Sequence, residues 1–340
     1  MILDLKIKIA KKWIGENLPT FIMAEAGINH NGSLKTAKKM IFEAKKAGAD
    51  AIKFQTFKAV DLATPNSKFF KTFQNLEFTD NDFRELSDYA KQQNIIFCST
   101  PFSEKAVNIL SKLKVPAFKI ASGDLTHIPL IKYASKKNKP MIISTGMANI
   151  DELKIAIKAI ESTKNKKIIV MHSVSSYPTP TNEVNLNVIQ NLKKDFRYPI
   201  GFSDNGPGIL VPQIAVAAGA KIIEKHFTLD KKMKGPDQKM SADPKELQQI
   251  ISKIREIEEL LGDEIKKCQP SELENRVNAR RSLTTNQVIN KNERIVKTML
   301  QIIRPGSGIQ PKYLSKVIGM RPKKKLSNYE SLKWNNLSSD

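Results

Sequence analysis

A (β/α)8 barrel of the TIM type, followed by a small and mostly irregular β module, is the fold class that this sequence predicts. Three observations carry it. Eight short apolar runs recur between residues 20 and 227, and each ends in polar or charged residues. Helix-like stretches separate them, the alternation that marks βα units and a parallel sheet. Beyond Gly262 the pattern breaks into short segments closely interrupted by turn residues. Eight units close a barrel, and that fold keeps its chemistry at the C-terminal ends of its strands.

The expected strands are TFIMAEAG (20–27), AIKFQT (51–56), IIFCSTPF (95–102), AFKIASGD (117–124), MIISTG (141–146), IIVMHSVSSYP (168–178), IGFSD (200–204) and IIEKHF (222–227). Helices are expected at 34–47, 80–93, 103–112, 128–137, 151–162, 186–194, 208–218 and 244–261. Ser103 and Asp151 are placed to cap helix N-termini, and Asp243-Pro244 puts proline at a first helical position. Gly48 and Gly262 stand where helices should stop. Residues 58–78 read as a long irregular connection of the kind that forms lids or binding loops. Before the first unit, Leu5, Ile7 and Ile9 share one strand face, which points to a hairpin plugging the barrel bottom. The domain reading is a barrel over 1–262 with the hairpin at 1–19, a polar linker at 263–279 containing Pro270, and the β module over 280–340. At about 60 residues such a module is near the lower limit for a core that stands alone.

At 340 residues, one barrel plus a small module fits the length. No apolar stretch approaches the roughly 18–20 residues that span a bilayer. The N-terminus alternates charged with apolar residues and lacks a signal-peptide core. Cys98 and Cys268 form no disulfide framework or metal motif, which points to the cytoplasm. The net charge is +22. Its lysines are spread along helices without an aromatic nucleic-acid motif, so they read as a solvated surface or a field that attracts anionic substrates. Neither nucleic acid nor membrane is an expected partner.

The strand ends carry Glu25, Lys53, Gln55, Thr100, Lys119, Ser122, Ser144, His172, Ser203, Asp204 and His226. Lys53 and Lys119 sit within apolar strands, and a lysine enters a barrel interior to meet an anion. An outward, snorkelling lysine is the competing reading. Ser99, Thr100, Ser122, Ser144 and Ser173, with the glycines beside them, offer hydroxyl and backbone N–H donors to oxyanions. Glu25 can act as an acid or base, or can be the buried partner of Lys53. Asn29, His30 and Gly32 suit a tight loop that reaches substrate. His226 is a metal ligand, an acid/base or a hydrogen-bonded core residue, with Glu25, His172, Asp204 and Asp237 as further candidate ligands. In the tail, Pro305, Gly306 and Gly308 form a turn beside Arg304, whose spacing alone marks only an exposed arginine.

AEAGINHNG, IKFQT, STPF, FKIASGD, STGMA, HSVSSYPTP, GFSD, EKHFTLD and GPDQ, in this order, closely resemble the sialic acid synthase family. ARRSL, RPGSGI and VIG resemble that family's C-terminal antifreeze-like (SAF) domain. The resemblance covers residues 20–326. It implies condensation of phosphoenolpyruvate with an N-acylated hexosamine in its open aldehyde form, giving a nonulosonic acid and inorganic phosphate. It also implies a homodimer in which each SAF domain caps the partner's barrel. Carried over, phosphoenolpyruvate would contact Lys53, Thr100, Lys119, Ser122, Ser144, Ser175 and Ser203. Gln55, Asp124, Tyr177, Asp237 and Arg304 would serve the sugar, and Glu25 and His226 would be catalytic. Asp124 replaces the family's more usual glutamate. The family commonly reads SDH after strand 7, with that histidine and the strand-8 histidine on a divalent metal. This chain has Ser203-Asp204-Asn205, so the implied cofactor, Mn2+ or Mg2+, would rest on His226 and Asn205. An amide oxygen is a poorer transition-metal ligand than imidazole. Two rival readings stand beside this one: a Schiff-base aldolase using Lys119 or Lys53, and a catalytically impaired sugar- or anion-binding barrel.

Overall fold

A computed structural model describes residues 5–338. Residues 1–4 of the expected hairpin segment and 339–340 of the expected tail module lie outside the described residues. The chain divides into two compact units, Met1–Gly262 and Asp263–Asp340.

The first unit opens with an antiparallel hairpin, β1 (Ile7–Ile9) and β2 (Lys12–Ile14). Eight strands follow: β3 (Phe21–Gly27), β4 (Ala51–Thr56), β5 (Ile96–Pro101), β6 (Phe118–Ile120), β7 (Met141–Ser144), β8 (Ile168–Ser173), β9 (Ile200–Asp204) and β10 (Ile222–His226). Each lies within one of the eight apolar runs. All the ladders are parallel, in the order β5-β4-β3-β10-β9-β8-β7-β6. Because β5 and β6 lie side by side, the sheet curls into a nearly closed eight-stranded barrel. The helices between and after the strands are α1 (Leu34–Lys46), α2 (Ala59–Leu62), α3 (Phe70–Leu76), α4 (Asp80–Gln92), α5 (Glu104–Lys112), α6 (Ile128–Ser135), α7 (Ile150–Glu161), α8 (Asn187–Asp195), α9 (Leu210–Ala217) and α10 (Pro244–Leu261).

Period-two alternation sorts each strand into an inner and an outer set. Phe21, Met23, Ala51, Cys98, Ala117, Ile142, Ile169, Met171 and Ile222 fill the lower interior, joined by Ile7, Ile9 and Ile14 of the hairpin. The hairpin thus plugs the barrel floor. Leu5 does not join that plug and packs with the outer cluster instead. The outer set, including Ile22, Ile52, Phe118, Ile143, Val170, Phe202 and Ile223, meets the amphipathic helices.

Ser33, Ser103 and Asp243 accept hydrogen bonds from the backbone of their first helical turns. Such caps are worth about 1 kcal/mol each. Asp151 is not a cap: Asn149 closes a capping box with Glu152, and Asp151 lies inside the first turn of α7. Gly48 and Gly262 have φ of +97° and +56°, so the chain leaves α1 and α10 through a conformation that glycine adopts freely. The 58–78 connection is less irregular than its sequence implies. It holds α2 and α3, and Phe57, Leu76 and Ile28 form a small separate core.

In the second unit, α11 (Leu273–Asn278) occupies the stretch read as linker. Next come an antiparallel pair, β11 (Ser282–Thr285) with β12 (Leu300–Ile303), the short α12 (Leu314–Val317), and a second pair, β13 (Arg321–Pro322) with β14 (Leu337–Ser338). Leu283, Ile289, Ile295, Ile309, Val317, Leu326, Leu332 and Leu337 give this unit its own core. Among the described residues no helix is long and apolar enough to cross a membrane.

The joint where β9 meets β10 requires a glycine at position 201. A Cβ on Gly201 would lie 2.3 Å from Ile222 Cγ2 and 2.7 Å from the Ile222 carbonyl oxygen. Backbone cannot move aside as a flexible side chain does, so Gly201→Ala is expected to cost about 1–3 kcal/mol. A thermal melt followed by circular dichroism checks this, and an unchanged melting temperature would contradict it.

Candidate active site

Alternation that buries aliphatic residues at the barrel floor brings charges together at its mouth. Two residues above Met23 stands Glu25, two above Ala51 stands Lys53, two above Ala117 stands Lys119, and two above Ile222 stands Glu224. All four are buried. Lys53 Nζ lies 2.6 Å from Glu25 Oε2 and 3.8 Å from Glu224 Oε2. Lys119 Nζ lies 3.0 Å from Glu224 Oε1. The two ammonium groups therefore meet one carboxylate in one pocket. Lys53 also donates to Thr100 Oγ1 at 3.1 Å, and Ser203 Oγ donates to Glu224 Oε1 at 3.0 Å. Register tightens the group at Glu25, where the β3–β4 pairing shifts between Glu25 and Gly27. Such a bulge re-aims the side chain beside it.

Glu224 was not among the residues singled out in the sequence, yet it is the hub of this cluster. The signal was present: in IIEKHF, Glu224 stands two before His226 and shares its strand face.

Burial and charge act on these groups in opposite directions. Burial raises the Glu25 carboxyl to about 7, with the negative charge of Glu224 adding to the rise and Lys53 opposing it. Burial also pushes Glu224 upward, but Lys119 and Lys53 outweigh that and hold it down at about 2. Near neutrality, then, Glu224 is a fixed anion and Glu25 is poised between its two forms.

A second group forms at the loops after β6, β7 and β8. Ser122 Oγ accepts the Gly146 N–H at 3.0 Å. A Cβ on Gly146 would fall 2.2 Å from Ser175 Oγ and 2.8 Å from Ser122 Oγ. Only glycine lets these two hydroxyls close around a backbone N–H. Asp124 follows in the 3-10 turn Ser122–Asp124, and burial raises its carboxyl. Asp124 Oδ2 and Ser144 Oγ are buried and have no hydrogen-bond partner among the described residues.

The third group surrounds His226, which pairs with Glu25 across the β10–β3 ladder. Burial lowers its imidazole to about 3, so it is neutral at pH 7. Its Nδ1 has no hydrogen-bond partner among the described residues, and Asp237 Oδ2 is 3.9 Å away. Burial raises Asp237 to about 6. The Tyr177 ring stands edge-on to His226 with centroids 5.9 Å apart. Gln55 Nε2 reaches Glu25 Oε1 at 3.5 Å.

Other candidates lie elsewhere. His172 points to the helix side of the wall, its Nε2 2.8 Å from Val184 O. Asp204 points outward too, where it pairs with the fully buried Lys225 at 2.6 Å. Neither can join His226 as a ligand. Ser99 faces out against Thr56, and Ser173 Oγ donates to Ser203 O. Asn29 and His30 are buried and bonded within the protein: Asn29 donates to Phe227 O and Ser241 Oγ, and His30 stacks on Phe78 and accepts from the Gly32 N–H. Arg304 is exposed in the second unit, at an Arg304–Pro305 cis peptide.

The donor set for a metal is thin. Among the described residues no three His, Cys, Asp or Glu side chains converge on a common point. His226 Nδ1 fits a cation and Asp237 stands beside it. The Asn205 amide nitrogen is committed to Val174 O at 2.8 Å and Ser173 Oγ at 3.3 Å. These residues fall short of a complete protein-built metal site.

Comparison with known proteins accords with this arrangement. The NeuB family profile matches residues 40–266, and the SAF domain profile matches residues 280–338. The N,N'-diacetyllegionaminic acid synthase of Legionella pneumophila is 38% identical over 343 residues, covering 96% of each chain. The human N-acetylneuraminate-9-phosphate synthase is 38% identical over 276 residues, covering 77% of each. Among solved structures, the N-acetylneuraminic acid synthetase of Leptospira borgpetersenii superposes with a TM-score of 0.78 at 38% identity, over 80% of this chain and 95% of that one. Matched across its barrel and its tail, the chain belongs to the NeuB family and ends in a SAF domain.

Proposed function

We propose that this protein condenses phosphoenolpyruvate with an N-acetylated hexosamine aldehyde, of the N-acetylmannosamine or di-N-acetylated 6-deoxyhexose type. The products are a nonulosonic acid and inorganic phosphate. The observation that carries the reading is the pair of buried lysines meeting one carboxylate in one pocket of a barrel mouth that also holds two buried hydroxyls, Ser144 and Ser175, with no hydrogen-bond partner among the described residues. Lys53, Thr100, Lys119 and Ser203 form one half of an anion site, and Ser122, Ser144 and Ser175 the other. Gln55, Asp124, Tyr177 and Asp237 line the sugar side.

The chemistry balances as follows. The C3 carbon of phosphoenolpyruvate attacks the aldehyde carbon, and the aldehyde oxygen becomes a hydroxyl. Positive character develops at C2, and water adds there. The resulting tetrahedral centre breaks its bond to the phosphate oxygen and becomes the keto group. One water proton ends on the new hydroxyl and the other on phosphate. Lys53 and Lys119 hold the carboxylate and phosphate without reorganising, the largest kind of catalytic contribution a site makes. Ionised Glu25 steadies C2 and takes a proton from the adding water. Neutral His226 orients the aldehyde oxygen. A divalent cation, where bound, would polarise that oxygen, with His226 the best-placed ligand.

The rest of the reading concerns the assembly. A homodimer in which Arg304 serves the partner's sugar site gives the exposed, turn-mounted guanidinium a task. Cys98 and Cys268 are free thiols, which suits a reducing cytoplasm. A Schiff-base route is disfavoured for Lys53, because its neighbouring carboxylates raise its ammonium against the downward push of burial, whereas burial lowers that of Lys119, which remains the candidate that borohydride trapping would test.

Lys53→Ala is expected to abolish phosphate release while the fold persists, because Glu25 can take up a proton in place of its lost partner. A phosphate-release assay over a panel of N-acetylated and di-N-acetylated hexosamines, with chelator and with added Mn2+ or Mg2+, checks this beside a thermal melt. Near-normal turnover of the variant would refute the assignment.

The pH dependence follows from Glu25. Its ionised form grows as pH rises through about 7, so kcat/KM should climb over that interval and then level. Glu25→Gln should be slow and should retain only the titration of the substrate phosphate. A wild-type profile that falls over the same interval would reverse the proton role given to Glu25.

For the assembly, sedimentation should give a dimer mass, and Arg304→Ala should raise KM for the sugar while leaving KM for phosphoenolpyruvate unchanged. A monomer, or equal effects on both constants, would remove Arg304 from the sugar site.

A further inference from the structure

We propose that Glu224 is a charge-balancing positioning residue, which sets how tightly the pocket holds phosphate and so how readily it lets phosphate go. The inference rests on the anion-site reading above and deepens it. Glu224 is buried within the barrel mouth, and its carboxylate meets the ammonium groups of both Lys53 and Lys119. Ser203 fixes the Oε1 atom at 3.0 Å, so the carboxylate is held in place and does not swing.

The sign of the effect follows from Coulomb's law. Without Glu224 the two buried lysines would share only Glu25, which sits against Lys53, and would bind a phosphate dianion more tightly and repel each other between turnovers. A fixed negative charge between them cancels about half of that field. It keeps both lysines protonated and oriented, and it weakens their grip on any anion that enters. An enzyme that must both bind a phosphoester and release inorganic phosphate from the same lysines gains from such a counterweight. One unit charge within about 6 Å, at an effective dielectric near 20, changes anion affinity by about tenfold or more. Thr100 and Glu25 face the same charges and keep their contacts with Lys53 when the Glu224 charge is removed, whereas the hydroxyl of Ser203 is bonded to Glu224 itself.

The test is calorimetric titration with inorganic phosphate and, separately, with phosphoenolpyruvate, with no sugar present. Glu224→Gln keeps the size of the side chain and loses the charge. It should bind both anions about tenfold more tightly than the wild-type protein. Where turnover is measurable, KM for phosphoenolpyruvate and kcat should fall together, and phosphate should become a stronger product inhibitor. A side chain that merely supports the fold would give unchanged or weaker anion binding, and either result overturns the proposal. Absence of phosphate and phosphoenolpyruvate binding in both proteins overturns it as well. Because Glu224→Gln leaves Lys119 without its ion-pair partner and can fail to fold, Glu224→Asp is the companion. It draws the charge back from the lysines and should tighten phosphate binding by a few-fold with a melt close to wild type; unchanged or weaker binding in this variant also counts against the proposal. The binding arm stands apart from the reaction. Tighter anion binding with no turnover on any sugar would uphold the role of Glu224 and defeat the synthase reading, and normal turnover with unaltered affinity would do the reverse.

Discussion

Four charges are shut inside a barrel wall, and the compensation of those charges constrains the rest of the site. A buried ion left alone costs several kcal/mol, and removing one member of a buried pair costs about 3–5 kcal/mol. Glu25, Lys53, Glu224 and Lys119 come from four different strands, so their mutual contacts exist only if every strand holds its register. A slip of one residue in β4 would turn Lys53 into the helix layer and Phe54 into the mouth. The aliphatic layer below is therefore more than a core. With the β1–β2 hairpin as its floor, it fixes the height at which the charges meet. Behind the wall a second buried pair, Lys225 with Asp204, ties β10 to β9 from the helix side. Neighbouring residues of one strand, Glu224 and Lys225, thus anchor the inner and the outer faces of the same joint.

Most of the barrel was legible because its two periods differ. Short apolar runs ending in polar residues could be only strands, and stretches with 3.6-residue spacing could be only helices. The inner face was legible in principle as well, by counting in twos from the floor. That count identifies Glu25, Lys53, Lys119 and His226 and rejects His172 and Asp204, whose position at strand ends made them look equivalent. It also yields Glu224, which is easy to pass over because a lysine and a histidine follow it directly. What could not be read is what loops bring together. The closure of Ser122 and Ser175 around Gly146 joins residues from three connections, and no local pattern encodes that distance. The helices α2 and α3 were hidden for a related reason: Phe57, Leu76 and Ile28 cluster only once the 58–78 connection has folded back. The cap of α7 went to Asn149 over Asp151, a shift of two residues that hydrogen-bond geometry decides.

The surplus of positive charge has a location as well as a size. Lys45 and Lys46, Lys91, Lys112, Lys132, Lys158, and Lys193 and Lys194 occupy the last turns of α1, α4, α5, α6, α7 and α8. In a barrel of βα units each helix runs back from the mouth, so these last turns ring the floor. Cations there meet the negative ends of the helix dipoles, worth about 0.3–1 kcal/mol each. These eight of the 56 lysines and arginines therefore serve the helices at the end opposite the candidate site. The field that an incoming anion meets at the mouth is set by a few buried groups, and there the positive charges are matched by carboxylates.

Asn205 shows how one position can serve the loops that frame the site. Its side-chain amide donates to Val174 O and Ser173 Oγ, and its own carbonyl accepts the Thr179 N–H at 3.2 Å. These bonds bracket the segment that presents Ser175 and Tyr177. An amide suits this task because it offers two N–H donors at fixed geometry, whereas an imidazole there would offer one donor from each of two divergent nitrogens. Asparagine at this position therefore acts as a tie between loops through its amide nitrogen. His226 keeps its free nitrogen beside Asp237, and the placement of the Tyr177 ring against His226 depends on how firmly the 174–179 segment is held. The ordering of that segment couples Ser175, which lies against Gly146, to Tyr177, which lies against His226.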